Sequence, residues 1–138
     1  MKRILFLFLV LLIVSVQFAF SQVKKANEFA GKWKGSSLCQ VKNSPCHDEI
    51  VVYHISQTGT DSTYAIQANK IVNGVEEDMG ILNGVYNKTK KIFTCHYENK
   101  SGQKSLWEFH VNRNEMKGRL VLEKDNVLYR IIELKKVE

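Results

Sequence analysis

From Gly31 onward the chain alternates apolar and polar residues in short runs that end at clusters of Gly, Asn, Asp, Ser and Lys. Successive side chains of a strand point to opposite faces, so this alternation predicts strands with one dry and one wet face. Phe93, Cys95 and Tyr97 share a face against Thr94, His96 and Glu98. Trp107, Phe109 and Val111 oppose Glu108, His110 and Asn112, and Met116, Gly118, Leu120 and Leu122 oppose Lys117, Arg119 and Glu123. Eight such runs are expected, over 31–39, 48–57, 62–72, 76–86, 91–98, 105–111, 115–123 and 127–136. The only candidate for a helical turn is 23–29, just before Gly31.

The connections are short. Asn73-Gly74 is a strong hairpin signal, because both central residues of a type I′ turn need positive φ. Gly80 and Gly84 weaken the fourth run and mark a bend or bulge in a curved sheet. A hairpin turning near Gly102 is expected to set Tyr97 opposite Trp107 and Cys95 opposite Phe109, aromatic cross-strand pairs that help fix register. Eight sequential strands with short turns make an antiparallel meander, which closes as a barrel or folds over as a sandwich. Closure removes exposed strand edges. The fold class predicted is therefore all-β, an up-and-down barrel of about eight strands.

Before the first strand the pattern changes. Met1-Lys2-Arg3 is a short positive start, Ile4 to Val14 holds no polar residue, and Ala19-Phe20-Ser21 puts small residues at −3 and −1 of a cleavage site before Gln22. That order of parts is a secretory signal peptide. A spanning helix needs about 20 consecutive apolar residues, and Gln17 interrupts this shorter run. Residues 1–21 are thus expected to be removed, leaving 22–138 as one exported domain, periplasmic or secreted, with no stable membrane anchor.

Composition adds three constraints. The chain carries 20 Lys and Arg against 14 Asp and Glu, and the basic excess falls once Lys2 and Arg3 are set aside. Lys24-Lys25, Lys88 to Lys91 and Lys135-Lys136 lie in expected turns or termini, without the interleaved aromatics of a nucleic-acid groove. Nucleic acid is therefore not an expected partner. Export into an oxidising compartment makes one disulfide plausible among Cys39, Cys46 and Cys95. Cys39 with Cys46, closing the short loop 40–45, is favoured; a pairing of either with Cys95 is the competitor. A Cys95 left free and buried would behave as an inert apolar residue.

Two stretches carry a resemblance. Phe29-Ala30-Gly31-Lys32-Trp33 opens the first strand with Gly-x-Trp, and Leu128-Tyr129-Arg130-Ile131-Ile132-Glu133-Leu134 lies in the last. The pair resembles the calycin barrels, the lipocalins and their avidin-like relatives. The resemblance implies barrel closure by Arg130 packed across Trp33, with Arg130 in phase with Leu128, Ile132 and Leu134. The chain lacks the Thr-Asp-Tyr turn motif of typical lipocalins, and it also looks like one of many small exported bacterial barrels.

Chemistry is sparse. Cys46-His47-Asp48-Glu49 is the densest polar cluster, but adjacent residues converge poorly on one ion and no zinc spacing is present. It reads as a loop leading into a strand. His96 and His110 share the wet face of one expected hairpin and read as solvated. No Gly-x-Ser-x-Gly elbow or Ser-x-x-Lys signature occurs. Glu76-Glu77-Asp78 reads as solvated rim charge. No catalytic residue, metal or cofactor is expected, and the protein is not expected to be an enzyme. An eight-stranded barrel is just wide enough for side chains to fill it, or for one small ligand. Phe93, Tyr97, Trp107, Phe109 and Leu120 are the candidate lining residues for a small apolar ligand. The alternative is a protein-interaction module or inhibitor that meets an extracytoplasmic protein through its loops, especially 40–45.

Overall fold

The structure, a computed structural model, describes residues 27–137. The expected signal peptide, its cleavage site and most of the expected helical turn lie outside the described residues. Eight antiparallel strands follow in order: β1 (Gly31–Cys39), β2 (Glu49–Gln57), β3 (Thr63–Val72), β4 (Val75–Asn87), β5 (Ile92–Glu98), β6 (Lys104–Asn112), β7 (Glu115–Leu122) and β8 (Val127–Lys136). Each pairs with the next and β8 pairs with β1, which closes the barrel. Among the described residues no helix is long and apolar enough to cross a membrane.

The two ends differ. One end, the base, carries the start of β1, the β2–β3, β4–β5 and β6–β7 turns and the end of β8. The other, the mouth, carries the β1–β2 loop and the β3–β4, β5–β6 and β7–β8 turns. Asn73 and Gly74 have φ of 51° and 83° at the β3–β4 turn, as a type I′ hairpin requires. At the mouth a disulfide joins Cys39 to Cys46 with Cα atoms 5.9 Å apart, and Cys95 is free and buried.

Two features of register depart from expectation. In the β5–β6 hairpin Cys95 faces Trp107, Phe93 faces Phe109 and Tyr97 faces Ser105. The turn is centred one residue earlier than expected, held by Asn99, whose Oδ1 accepts from the Ser101 and Gln103 amides at 3.0 and 2.9 Å. A slip of two keeps every side chain on its face, so the alternation pattern could not detect it. In the β7–β8 ladder Leu120 faces Arg130 but Val121 faces Leu128, so Tyr129 is the extra residue of a bulge. The bulge flips the phase, and Leu128 is exposed instead of facing the core with Ile132 and Leu134. The bulge expected near Gly80 is present in β4, where Ala68 faces Gly80 but Asn69 faces Asp78, leaving Met79 unpaired.

The base is filled. The segment 27–30 turns across it, with Asn27 Oδ1 accepting from the Phe29 amide at 3.3 Å and the Ala30 amide at 3.4 Å. Phe29 is fully buried and its ring sits 4.6 Å from Tyr86, 5.1 Å from Tyr64 and 5.2 Å from Phe93. Trp33 Nε1 donates to the Phe29 carbonyl at 2.9 Å. The cation over Trp33 is Lys136, with Nζ 5.4 Å from the ring centroid. Lys136 also donates to the Glu28 carbonyl at 3.0 Å, and burial pushes its amine below the usual lysine range while Glu28 opposes this. Arg130 does not occupy that place. It faces Cys39 on β1 whereas Trp33 faces Lys136, so the arginine expected across Trp33 stands six residues away, at the mouth.

Candidate functional site

Above this plug the barrel is hollow. A cavity of about 230 Å³ lies in the mouth half, lined by residues from all eight strands. Small side chains make the room: Ser37, Ala68 and Gly80 occupy inward positions where the base carries Trp33, Tyr64 and Tyr86.

Its walls are unlike. Ser37 of β1, Glu49 of β2 and Arg130 of β8 form a polar wall, which Tyr53 joins. Across the ring, Met79, Ile81 and Leu82 of β4 and Tyr97 of β5 form an apolar wall, which Trp107 of β6 and Leu120 of β7 continue round to the flank of Arg130. Three strands lie between β8 and β4, and between β1 and β5, either way round the closed order, so β4 and β5 oppose the polar wall.

Arg130 organises the polar wall. Its side chain is 13 % exposed and that of Glu49 14 %, with Nη1 3.1 Å from Glu49 Oε2. The same Nη1 meets Ser37 Oγ at 3.0 Å, the Ser37 carbonyl at 3.3 Å and the His47 carbonyl at 3.3 Å. A half-buried guanidinium needs a counter-charge and acceptors for its donors, and Glu49 supplies the charge. All these contacts use one nitrogen, which leaves the Nε and Nη2 edge of the fork without a protein partner among the described residues, on a side chain that lines the cavity. Burial pushes the Tyr53 phenol well above its ordinary range, with Arg130 and Glu49 acting in opposite senses. Tyr53 therefore stays a neutral hydrogen-bonding group.

On the apolar wall the indole Nε1 of Trp107 is buried and has no hydrogen-bond partner among the described residues. Trp107 stacks beside Phe109 at 6.2 Å. Of the five expected lining residues, Tyr97, Trp107 and Leu120 line the cavity. Phe93 and Phe109 do not line it; both are fully buried in the core. Glu49, Ser37, Met79 and Ile81 were not among the expected residues. Glu49 hid in the loop cluster with His47, and Met79 and Ile81 flank Gly80 at the bulge, where the alternation loses its phase.

The wall has one opening on its side. β4 and β5 pair only through Val85, Tyr86 and Asn87 with Thr94, Phe93 and Ile92. At Gly84 the strands still touch, since a Cβ there would strike the Thr94 carbonyl and the Phe93 ring. Above it they part, and the apolar side chains Met79, Ile81 and Tyr97 flanking the opening are exposed.

Other features lie outside the cavity. Burial pushes the Cys95 thiol up, which keeps it protonated and unreactive. His96 Nδ1 pairs with Glu123 at 2.8 Å and His110 Nε2 with Glu108 at 3.1 Å. Among the described residues no three His, Cys, Asp or Glu converge as a metal site. Glu76 is no simple rim charge. On the outer wall it meets His54 at 2.7 Å, Asn69 at 2.8 Å and Lys32 at 3.3 Å, which together hold its carboxyl down to about 2. A larger recess of about 580 Å³ lies on the outer wall near Lys34, Ile50, Lys117 and Glu133, open to solvent. No protein-family model matches the chain, and no curated protein matches it.

Proposed function

We propose that this protein is an exported, non-enzymatic calycin-like barrel that holds a small, largely apolar ligand in its mouth half. The observation that supports this reading is the cavity of about 230 Å³, apolar on one side and bounded by the Arg130–Glu49 pair on the other. Ligand pockets are mostly apolar with a few placed polar groups. A dry cavity of about 150 Å³ in an apolar core binds benzene, so this one suits a molecule somewhat larger than a single ring. The disulfide at the mouth accords with an oxidising compartment.

Tryptophan fluorescence tests the reading, because Trp107 borders the cavity while Trp33 is sealed in the base. Titration with fatty acids and other small apolar molecules is expected to shift the emission. Leu120→Trp, which fills the cavity, is expected to abolish saturable binding. No saturable response from any member of a broad panel would overturn the proposal.

A second reading rests on the disulfide-braced loop 40–45 at the mouth. There Asp48 Oδ1 accepts from the Cys39 amide at 2.8 Å, presenting a stiff surface for an extracytoplasmic protein. Crosslinking from residues of this loop in the producing cells tests it, and recovery of no partner counts against it.

A further inference from the structure

We infer that the cavity takes a carboxylate-headed amphiphile, its head on the free edge of Arg130 and its tail toward the opening between β4 and β5. The inference rests on the ligand-holding reading above and names the ligand class.

The head follows from what the polar wall leaves unmet. Arg130 uses only Nη1 for Ser37, His47 and Glu49. An arginine fork can hold one carboxylate end-on and another side-on through Nε and Nη2, and such charge-assisted, bidentate pairs are the stronger hydrogen bonds. Tyr53, neutral and beside the pair, adds a further donor. An ammonium head would meet a cation and donors, while the only carboxylate there, Glu49, is already engaged by Arg130 at 3.1 Å.

The tail follows from topology. The wall opposite Arg130 is apolar, and it is where β4 and β5 lose their ladder above Gly84. Met79, Ile81 and Tyr97 are 41 %, 52 % and 44 % exposed. A tail that outgrows 230 Å³ therefore passes between apolar side chains instead of striking a closed wall.

The test uses octanoate, octanol and octyltrimethylammonium below their micellar concentrations, followed by tryptophan fluorescence or calorimetry. Octanoate is expected to bind at least about tenfold more tightly than octanol, the range of a charge-assisted hydrogen bond, and the ammonium more weakly than either. Arg130→Gln is expected to erase the preference for octanoate over octanol. From hexanoate to dodecanoate the affinity is expected to rise and then level without falling. Equal binding of octanoate and octanol overturns this inference and leaves the ligand-holding reading intact; no binding by any probe overturns both. A fall in affinity beyond the length that fills the cavity overturns the placement of the tail. Should Arg130→Gln fail to fold with Glu49 left unpaired, the double variant Arg130→Gln/Glu49→Gln removes both charges. The wild-type Arg130 Nε–H resonance decides independently: it shifts with octanoate and not with octanol if the head sits there, and absence of the shift refutes the contact.

Discussion

Replacing Phe29 by Ala removes the plug at the base. Phe29 is fully buried and packs on Tyr64, Tyr86 and Phe93 within 5.2 Å. Its carbonyl also accepts from Trp33 Nε1. A Phe→Ala change in a core costs about 3–5 kcal/mol, the transfer of the ring plus the cavity left behind. The aromatic pairs are worth about 0.5–1.5 kcal/mol each beyond burial but are not additive, so we take about 4 kcal/mol in all. A small domain has roughly 5–15 kcal/mol of stability in total. With a urea slope of about 1.5 kcal/mol/M, the midpoint is expected to fall by about 2–3 M. Phe29→Leu keeps most of the volume and is expected to cost about 1–1.5 kcal/mol. The measurement is equilibrium urea unfolding, read by far-ultraviolet circular dichroism and by tryptophan emission, since Trp33 lies beside the plug. The competing description makes 27–30 a tail left by export, laid on the barrel without supporting it. A loss for Phe29→Ala below about 1.5 kcal/mol would favour that description and refute the plug.

Three further outcomes are expected. Trp33→Phe should cost at least about 1 kcal/mol more than Trp107→Phe, because the first breaks a buried hydrogen bond and the second removes a buried donor that has no partner; equal costs in urea unfolding would refute the assignment of the orphan. His54, then Asn69 and Lys32, hold the Glu76 carboxyl at about 2, and Lys91, with the Arg113 amide, holds Glu28 below the carboxylate range. Depressed folded-state values give stability that is present above the unfolded pKa near 4.5 and is lost as pH falls toward the folded one. The unfolding midpoint should therefore drop between about pH 4.5 and 2, and Glu76→Gln should flatten that drop; an unchanged slope would contradict the outer-wall network. Finally, Cys39→Ser/Cys46→Ser should cost about 2 kcal/mol by loop-closure entropy, and a thiol reagent should label Cys95 only as fast as the native protein unfolds, whereas rapid labelling would show it accessible.

Much of the fold was legible because period-two alternation survives in β5, β6 and β7, and because Asn73-Gly74 and the Gly- and Asn-bearing clusters punctuate it. β1 and β8 match the expected runs residue for residue, and the other strands differ by one residue at one or both ends. What alternation cannot carry is an even shift or a bulge. Tyr97 opposite Trp107 and Tyr97 opposite Ser105 put the same side chains inward, so only the loop chemistry at Asn99 decides between them. The bulge at Tyr129 reverses the phase of Leu128, and nothing in its side chain announces it. The closure cation was misassigned for a related reason. Arg130 and Lys136 both lie in phase on β8, and the distance along β1 that separates their partners, Cys39 and Trp33, shows only in the ladder. Part of the site was legible, three of the five expected lining residues. Tyr97, Trp107 and Leu120 reach the cavity because they sit on dry faces near the mouth, while Phe93 and Phe109 share those faces nearer the base.

That gradient along the barrel axis accounts for how one small domain combines a core with a cavity. A single eight-stranded ring can be filled by side chains or can leave room for one small ligand, and this chain is filled in one half and hollow in the other. Its large rings, Phe29, Trp33, Tyr64, Tyr86 and Phe93, gather at the base, where they pack on one another. Removing apolar surface from water is worth about 25 cal/mol per Å², so the base supplies most of the stability. The mouth gives up packing through Ser37, Ala68 and Gly80, and it stays open because the disulfide and the Arg130–Glu49 pair brace the β1–β2 side. The β4–β5 side has no equivalent brace above Gly84, since its ladder ends there. The wall that gains least from the ladder is thus the one that the entry of a molecule would disturb least. It follows that mutations at Phe29 or Trp33 should act on stability and those at Arg130 or Tyr97 on binding. A double-mutant cycle between the two sets in unfolding should show coupling within about 0.5 kcal/mol, the value for distant independent sites, and a larger coupling would show that the halves are not separable.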